Sequence, residues 1–501
     1  MLAVQRVAEG MAQPRGYAGF GSFFSDNVEE LIAAPDGVYV APPDLLAADS
    51  LFAELERGPP LPFGAAARPH FLIDFASWTF VNHGAFGGAA RIPFEYAQCW
   101  RRRCEEQPLV HFDRELFPHI VRATRDVARV LRAAPTDVVF TQNATSALCA
   151  VIASVPLSPG DAVFSLSIGY GSVKTMLRLR AAEAQAEHVE AEVRFPASAE
   201  DVLKLVESTL PANTRLAVFD AVTSNTAFAL PVAQLARLCK ARCPGIRVLI
   251  DAAHALGSPL PLDVPSLGVD FWVSNCHKHL CSPRGAAVLW AAPDTHSLLR
   301  PRVVSHGAGH GFTSTFMWDG CRDYSPVLAV CATLRWWRAV GSARAAEYMR
   351  ATLAAGVAVL LTRWQTHTLL PAHLCSNMAL VRLPAEALPR SSSVHPQAPV
   401  VALDQLLARQ PPALDGPATS ADAKEWQDWL HFEAGVECPV KCVQGCVHYG
   451  AFAGERCGAH SRPLLAATCT AACLRTSTTN RQTMRSWRRR LPERWAGQRA
   501  G

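Results

Sequence analysis

Lys278 sits between two histidines in the stretch VSNCHKHLCSPRG, residues 273–285, directly after the apolar run VDFWVSN. A lysine just past the end of an apolar strand serves as an amine for covalent chemistry or as a cation for a phosphate. Other chemistry-bearing residues stand at the same place relative to other apolar runs. After VVFTQ comes NATSAL, where Ala144 and Thr145 form a small-residue turn that opens a helical pattern. Free N–H groups and the helix dipole make such a turn an anion site. After VFSLSIG comes Tyr170, and after VLI comes Asp251.

An anion cradle, an aromatic ring, a carboxylate and a lysine together suit pyridoxal 5'-phosphate. Its phosphate takes the helix N-terminus, and its pyridinium nitrogen needs a carboxylate to stay protonated. Its aldehyde condenses with a lysine, and its ring lies against a flat face. Taken singly, each residue has a plainer reading. Asp251 serves as a helix cap, Tyr170 as packing, NATSAL as any helix start, and Lys278 as an exposed or phosphate-binding lysine. Their coincidence at successive strand ends is what points to a cofactor site.

The elements that must position these residues lie between about 70 and 340. Short β-type runs (DVVFTQ, DAVFSLS, RLAVFDAV, RVLIDAA, VDFWVSN) alternate with amphipathic segments such as VAQLARLCKARC. That alternation predicts βαβ units and a mostly parallel sheet with helices on both faces. In such sheets, ligands gather beyond the carboxyl ends of the strands. A helical pattern around LLAADSLFAELER lies in a Pro-, Ala- and Gly-rich leader, and no internal repeat is found.

Half of the 501 residues are apolar and 18 % are charged, enough for a large core. No run of about 18 apolar residues lacks charge, so no membrane span is expected. The net charge of +5 is unevenly placed: eight arginines and one glutamate from Arg475 onward sum to +7, leaving −2 for the rest. The body is therefore not a basic nucleic-acid-binding surface. Sixteen scattered cysteines with no secretory signal read as free thiols in a reducing compartment. A cytoplasmic location is expected, with the N-terminal stretch read alternatively as a mitochondrial transit peptide.

The segments FVNHGAFGG, TQNATSA, YGSVKTML, LIDAAHALG, DFWVSNCHKHLCSPRGAAVL and SHGAGHGFTSTFMWDGCRDYSPVLAV, in unbroken order over about residues 68–445, resemble class V pyridoxal-phosphate enzymes. The nearest likeness is to the isopenicillin N epimerase-like branch, which includes C–S lyases of sulfur amino acids. The resemblance implies an α/β architecture, the type I fold of pyridoxal-phosphate transferases, with a smaller α+β domain. It implies Lys278 as the residue that holds the cofactor, Asp251 as partner of the pyridine nitrogen and His254 as contact of the ring hydroxyl. Ala144 and Thr145 match the phosphate turn, to which Asn275 and His277 add. Tyr170 falls where a ring stacks, Asn225 faces the ring from its strand end, and Asn82 and His83 line the substrate side. No metal is implied. A homodimer with shared sites and a small amino-acid substrate are, with no nucleic acid and no membrane as partner.

The expected organisation is an N-terminal extension over 1–65, a large cofactor-binding domain over 66–340 and a small domain over 341–446. An atypical, poorly ordered Arg/Cys-rich tail over 447–501 follows. Where the family continues with an arginine that binds the substrate carboxylate, this chain reads CVHYGAFAGERCGAHSR, an altered C-terminus. Arg322 is the substitute candidate. Cys321 stands where the family has a threonine, and His279 where it has a bulky aromatic. Cys438, Cys442 and Cys446, with Cys457 and His460 beyond, read as scattered thiols rather than a zinc site. A second reading makes Cys438 a persulfide-forming nucleophile. The expected activity is a C–S lyase of cysteine conjugates or their sulfoxides. The alternatives are an epimerase or aminotransferase, and a cofactor-binding chain impaired by its tail.

Overall fold

The computed structural model describes residues 28–45, 50–53, 58, 60–383, 423–424, 427–428, 430–431, 436–443 and 446–452. Its centre is a seven-stranded sheet: β2 (Val138–Thr141), β3 (Ala162–Leu166), β4 (Glu187–Ala191), β5 (Thr214–Asp220), β6 (Arg247–Asp251), β7 (Phe271–Asn275) and β8 (Ala287–Ala291). The spatial order is β2-β8-β7-β6-β5-β3-β4. All strands run the same way except β8, which pairs antiparallel with β2 and β7. Both faces are covered, which is why these strands are nearly continuous apolar runs rather than alternating ones.

Alternate residues of one strand serve two separate cores. Phe219, Ile250, Trp272 and Trp290 face one core, with helices α2 (Arg91–Glu106), α3 (Leu116–Leu131), α6 (Ala199–Thr209), α7 (Val232–Arg242) and α9 (Ser325–Val340). Val218, Leu249, Val273 and Leu289 face the other, with α4 (Ala144–Ser154), α5 (Gly171–Ala184) and α8 (Phe312–Met317). At about 25 cal/mol per Å² of buried apolar surface, these two layers supply the main driving force for folding.

Gly341, at φ +83°, ends α9 and starts α10 (Ser342–Trp364). Beyond it, β9 (Met378–Arg382), β11 (Val440–Val443) and β12 (Cys446–Phe452) form an antiparallel sheet in the order β11-β12-β9. The two-residue strands β1 (Thr79–Phe80) and β10 (Val436–Glu437) pair in parallel.

Two boundaries differ from expectation. Part of the N-terminal extension joins the large core. The helix α1 (Val28–Ala33) buries Val28 and Ile32, Arg125 donates to the Ile32 carbonyl (2.9 Å) and pairs with Asp36 (2.6 Å), and Glu29 accepts the Ser314 N–H (2.7 Å). The expected break at 447 falls inside β12, whose run to Phe452 pairs with β9. Residues 1–27, with the transit-peptide reading, and 453–501, with Cys457, His460 and most of the expected tail, lie outside the described residues. Among those described, no helix is long and apolar enough to cross a membrane.

Candidate active site

The lysine lies in the connection of a hairpin, because β8 returns antiparallel to β7. Cys276 and Ser282 tie the loop shut through N–H bonds to the carbonyls of Ala286 and Cys276, both 3.1 Å. The Cys281 N–H reaches the Lys278 carbonyl at 3.2 Å, with Cys281 itself at φ +60°. Two glycines press on this loop from outside. A Cβ on Gly87 (φ +68°) would stand 1.7 Å from the His277 carbonyl oxygen, and one on Gly257 (φ +78°) 2.4 Å from the His279 carbonyl. Only glycine combines that φ with that closeness. Arg284 adds donors to the carbonyls of Phe86 (3.1 Å) and Gly87 (2.7 Å). The segment FVNHGAFGG is thereby stitched to the lysine loop.

Lys278 Nζ lies 3.2 Å from His254 Nε2, and His254 Nδ1 lies 3.4 Å from His279 Nε2. Asp251 ends β6, and its Oδ1 accepts the Ala253 N–H at 3.0 Å. Its Cα partner on β5 is Asp220, and both carboxyls are buried. Burial, with the charge of Asp251 added, pushes Asp220 well above the usual carboxylate range. Burial raises Asp251 too, opposed by the Lys278 charge. Burial lowers the Lys278 ammonium, and the two carboxyls partly restore it. His254 is driven well below the ordinary imidazole value by burial, then by Lys278 and His279.

On the neighbouring strand end, Asn143 caps α4 by accepting the Ser146 N–H at 2.9 Å. The Ala144 N–H donates to Asn275 Oδ1 at 3.0 Å, which ties this helix start to the end of β7. Thr145 is exposed in the first turn, and Tyr170 precedes α5 with 42 % of its surface exposed. A helix N-terminus, a buried carboxyl pair and a buried amine thus share one edge of the sheet.

Residues 108–384 match the family model for aminotransferase class V. The chain belongs to the class V aminotransferase family. It is 32 % identical over 342 residues to the putative L-cysteine desulfhydrase 1 of Oryza sativa subsp. japonica, covering 64 % of this chain and 70 % of that one. It is 29 % identical over 336 residues to the probable chloroplastic L-cysteine desulfhydrase of Arabidopsis thaliana, covering 63 % and 70 %. Among solved structures, the fold resembles the cystine C–S lyase C-DES in complex with its reaction product cysteine persulfide. There the TM-score is 0.62 at 16 % identity, with 79 % of this chain and 97 % of that one covered. The type I transferase fold expected from the sequence is the fold observed.

This family depends on pyridoxal 5'-phosphate, and the residues present fit that group. Lys278 offers a buried amine, Asp251 a buried carboxylate and α4 a capped N-terminus on the same edge. His277 Nδ1 and Asn82 Oδ1 are buried polar atoms without a protein partner among the described residues. Asn82 Nδ2 donates to Glu437 Oε1 (3.3 Å), and His83 Nδ1 accepts the Gly88 N–H (3.4 Å) with its ring against the edge of Phe80 (5.0 Å). Asn225 is exposed in the turn between Val222 and Ala229.

Arg322 requires a correction. Its guanidinium is committed to Asp319 (2.5 Å), to the Asp323 carbonyl (3.2 Å) and to the face of Tyr324 (4.0 Å). A cation already held by a carboxylate and a ring is not free to anchor a substrate carboxylate. Cys438 is only 3 % exposed and Cys321 is exposed. Sequence reasoning missed Asp220 as a site residue. The signal was available, since RLAVFDAV ends in an aspartate just as VLIDAA does, but only strand order makes the two neighbours.

The buried histidines set an acid limit. Burial holds His83, His119 and His277 at about 4 and His279 at about 3, and keeps His254 low as well. Their folded values lie below the unfolded one, so the unfolded chain binds more protons between about pH 6.5 and 4, and stability is lost as pH falls through that window. The raised carboxyls of Asp137, Asp220 and Asp251 act oppositely but are fewer. The melting temperature is expected to fall between about pH 7.5 and 5. A flat or rising value in a thermal scan would contradict this account.

Proposed function

We propose that this chain is a pyridoxal-phosphate-dependent C–S lyase acting on L-cysteine or a cysteine conjugate, with Lys278 as its reactive amine. The observation that carries the reading is Lys278 Nζ at 3.2 Å from His254 Nε2, three residues beyond Asp251, the strand partner of Asp220. The names of the desulfhydrase relatives and of the cystine lyase neighbour support the same reaction class.

When bound, the cofactor supplies an aldehyde that condenses with amines and a ring that takes up the electron pair released at Cα. The rest falls to the chain. The N-terminus of α4, with Ala144 and Thr145, receives the phosphate, while Asn275 holds that turn and His277 offers its unpartnered nitrogen. Asp251 keeps the proton on the ring nitrogen. Asp220, driven furthest toward its neutral form, lets Asp251 stay charged, as in carboxyl pairs whose affinities are pushed apart. As a free amine, Lys278 would accept the Cα proton, a role its lowered proton affinity favours. Tyr170 would cover the ring, His254 would orient the ring hydroxyl, and Asn82 and His83 would bound the substrate side. Lysis breaks the Cβ–S bond; from L-cysteine and water the balance is pyruvate, ammonia and hydrogen sulfide.

A second copy of this chain is the partner that completes the site. Phe86, 69 % exposed beside Gly87, presents apolar ring surface next to the lysine loop. The division into a large domain over 66–340 and a small domain over 341–446 is part of this proposal. The test is an assay of pyruvate together with the sulfur product, with the cofactor added: sulfide from L-cysteine, a thiol from its S-conjugates and a sulfenic acid from their sulfoxides. Stoichiometric release of the two supports lysis, whereas inversion at Cα or amino transfer without release of the sulfur product overturns it.

A further inference from the structure

His279 is buried and pairs with His254, which in turn meets Lys278. His279 also lines a cavity of about 150 Å³, bounded by His83, Phe71, Phe80, Trp336 and Asn377. Lys278, His254 and His279 therefore form a row whose inner end is the reactive amine and whose outer end meets open space. We propose that His254 and His279 form a two-imidazole relay that carries a proton between Lys278 and this cavity.

Geometry and protonation agree with this role. A proton leaving the Lys278 ammonium enters His254 Nε2. The Nδ1 proton of His254 passes to His279 Nε2, and the Nδ1 proton of His279 passes to water in the cavity. Each imidazole gains one proton and loses one, the ammonium becomes an amine, and the water becomes hydronium. The step requires both rings to be neutral, and burial keeps them so. The groups facing the row are Asp251 and Asp220 on the lysine side, and His83 and Cys281 beside His279. His279 acts through His254 and is a positioning residue. By accepting the His254 Nδ1 proton, it leaves His254 Nε2 as the acceptor that Lys278 requires.

The inference rests on Lys278 as the reactive amine but not on sulfur elimination, so two readouts are used. The first is competitive acetylation of Lys278 against pH in the full-length protein without cofactor, followed by peptide mass mapping. In His279→Phe, His254 has no acceptor for Nδ1–H and turns Nε2–H toward the lysine, so the midpoint should fall by roughly one pH unit, the loss of one charge-assisted bond. In His279→Gln, the side-chain oxygen accepts that proton and the midpoint should return to the wild-type value. The second readout is washout of Cα deuterium from L-alanine, which has no sulfur to lose, in the cofactor-loaded protein. Both variants should exchange about a hundredfold more slowly, the low end for a positioned proton carrier. Wild-type washout in either variant, or an unmoved midpoint in the phenylalanine variant, overturns the relay. If that variant does not fold, the glutamine variant decides through washout alone.

Discussion

Lys278→Ala should leave the fold intact and reduce keto-acid release by at least about ten-thousand-fold, the upper range for a positioned acid–base group. Under the proposed function two roles would be lost at once: the amine that holds the cofactor aldehyde and the base that takes the Cα proton. Among the described residues, no other amine occupies that place. His254 is the nearest basic group, but burial keeps its proton affinity low and its Nδ1 is committed to His279. The loop does not depend on the lysine side chain, because its closure runs through backbone bonds and the Gly87 and Gly257 contacts. Removing a buried ammonium also relieves a desolvation cost. The checks are steady-state rates, and borohydride reduction followed by peptide mapping, which should leave a pyridoxyl group on position 278 in the wild type alone. A variant that retains a tenth of the activity would refute Lys278 as the reactive amine.

Asp251→Asn is expected to cost about a thousandfold in turnover, the scale of removing a preorganised electrostatic partner from a dry site. Asparagine preserves the size and can still accept the Ala253 N–H that now goes to Oδ1. It cannot hold a proton on the ring nitrogen by charge. With the negative charge gone, Asp220 loses one of the influences that raise it, and the Lys278 ammonium loses the larger of its two carboxyl supports. The lysine should then become neutral at lower pH, so the loss should sit in turnover while the acidic limb of the rate profile moves down. Turnover within threefold of wild type would remove Asp251 from this role.

Much of this site was legible as strand ends. Lys278, Asp251, Tyr170 and the Ala144–Thr145 turn each follow an apolar run, and parallel order brings such ends together regardless of what lies between. The Asp220–Asp251 pair and the His254–His279 contact were not legible, because both depend on which strands are neighbours. Arg322 misled for a related reason: a guanidinium looks available in one dimension, and only the fold reveals Asp319 and Tyr324 around it. The α1 helix is too short for a periodic pattern, and β12 was obscured by its Cys- and Gly-containing text. Its pairing with β9 supplies what its composition lacks.

Gly87 and Gly257 grip main-chain carbonyls, not side chains. What they secure is the path of the polypeptide around the reactive amine, whatever residues that path carries. Substitutions at positions 277 and 279 therefore leave the two contacts that route the chain past the lysine in place. A side chain at position 87 or 257 would instead collide with the main chain of the loop and push the lysine off its path.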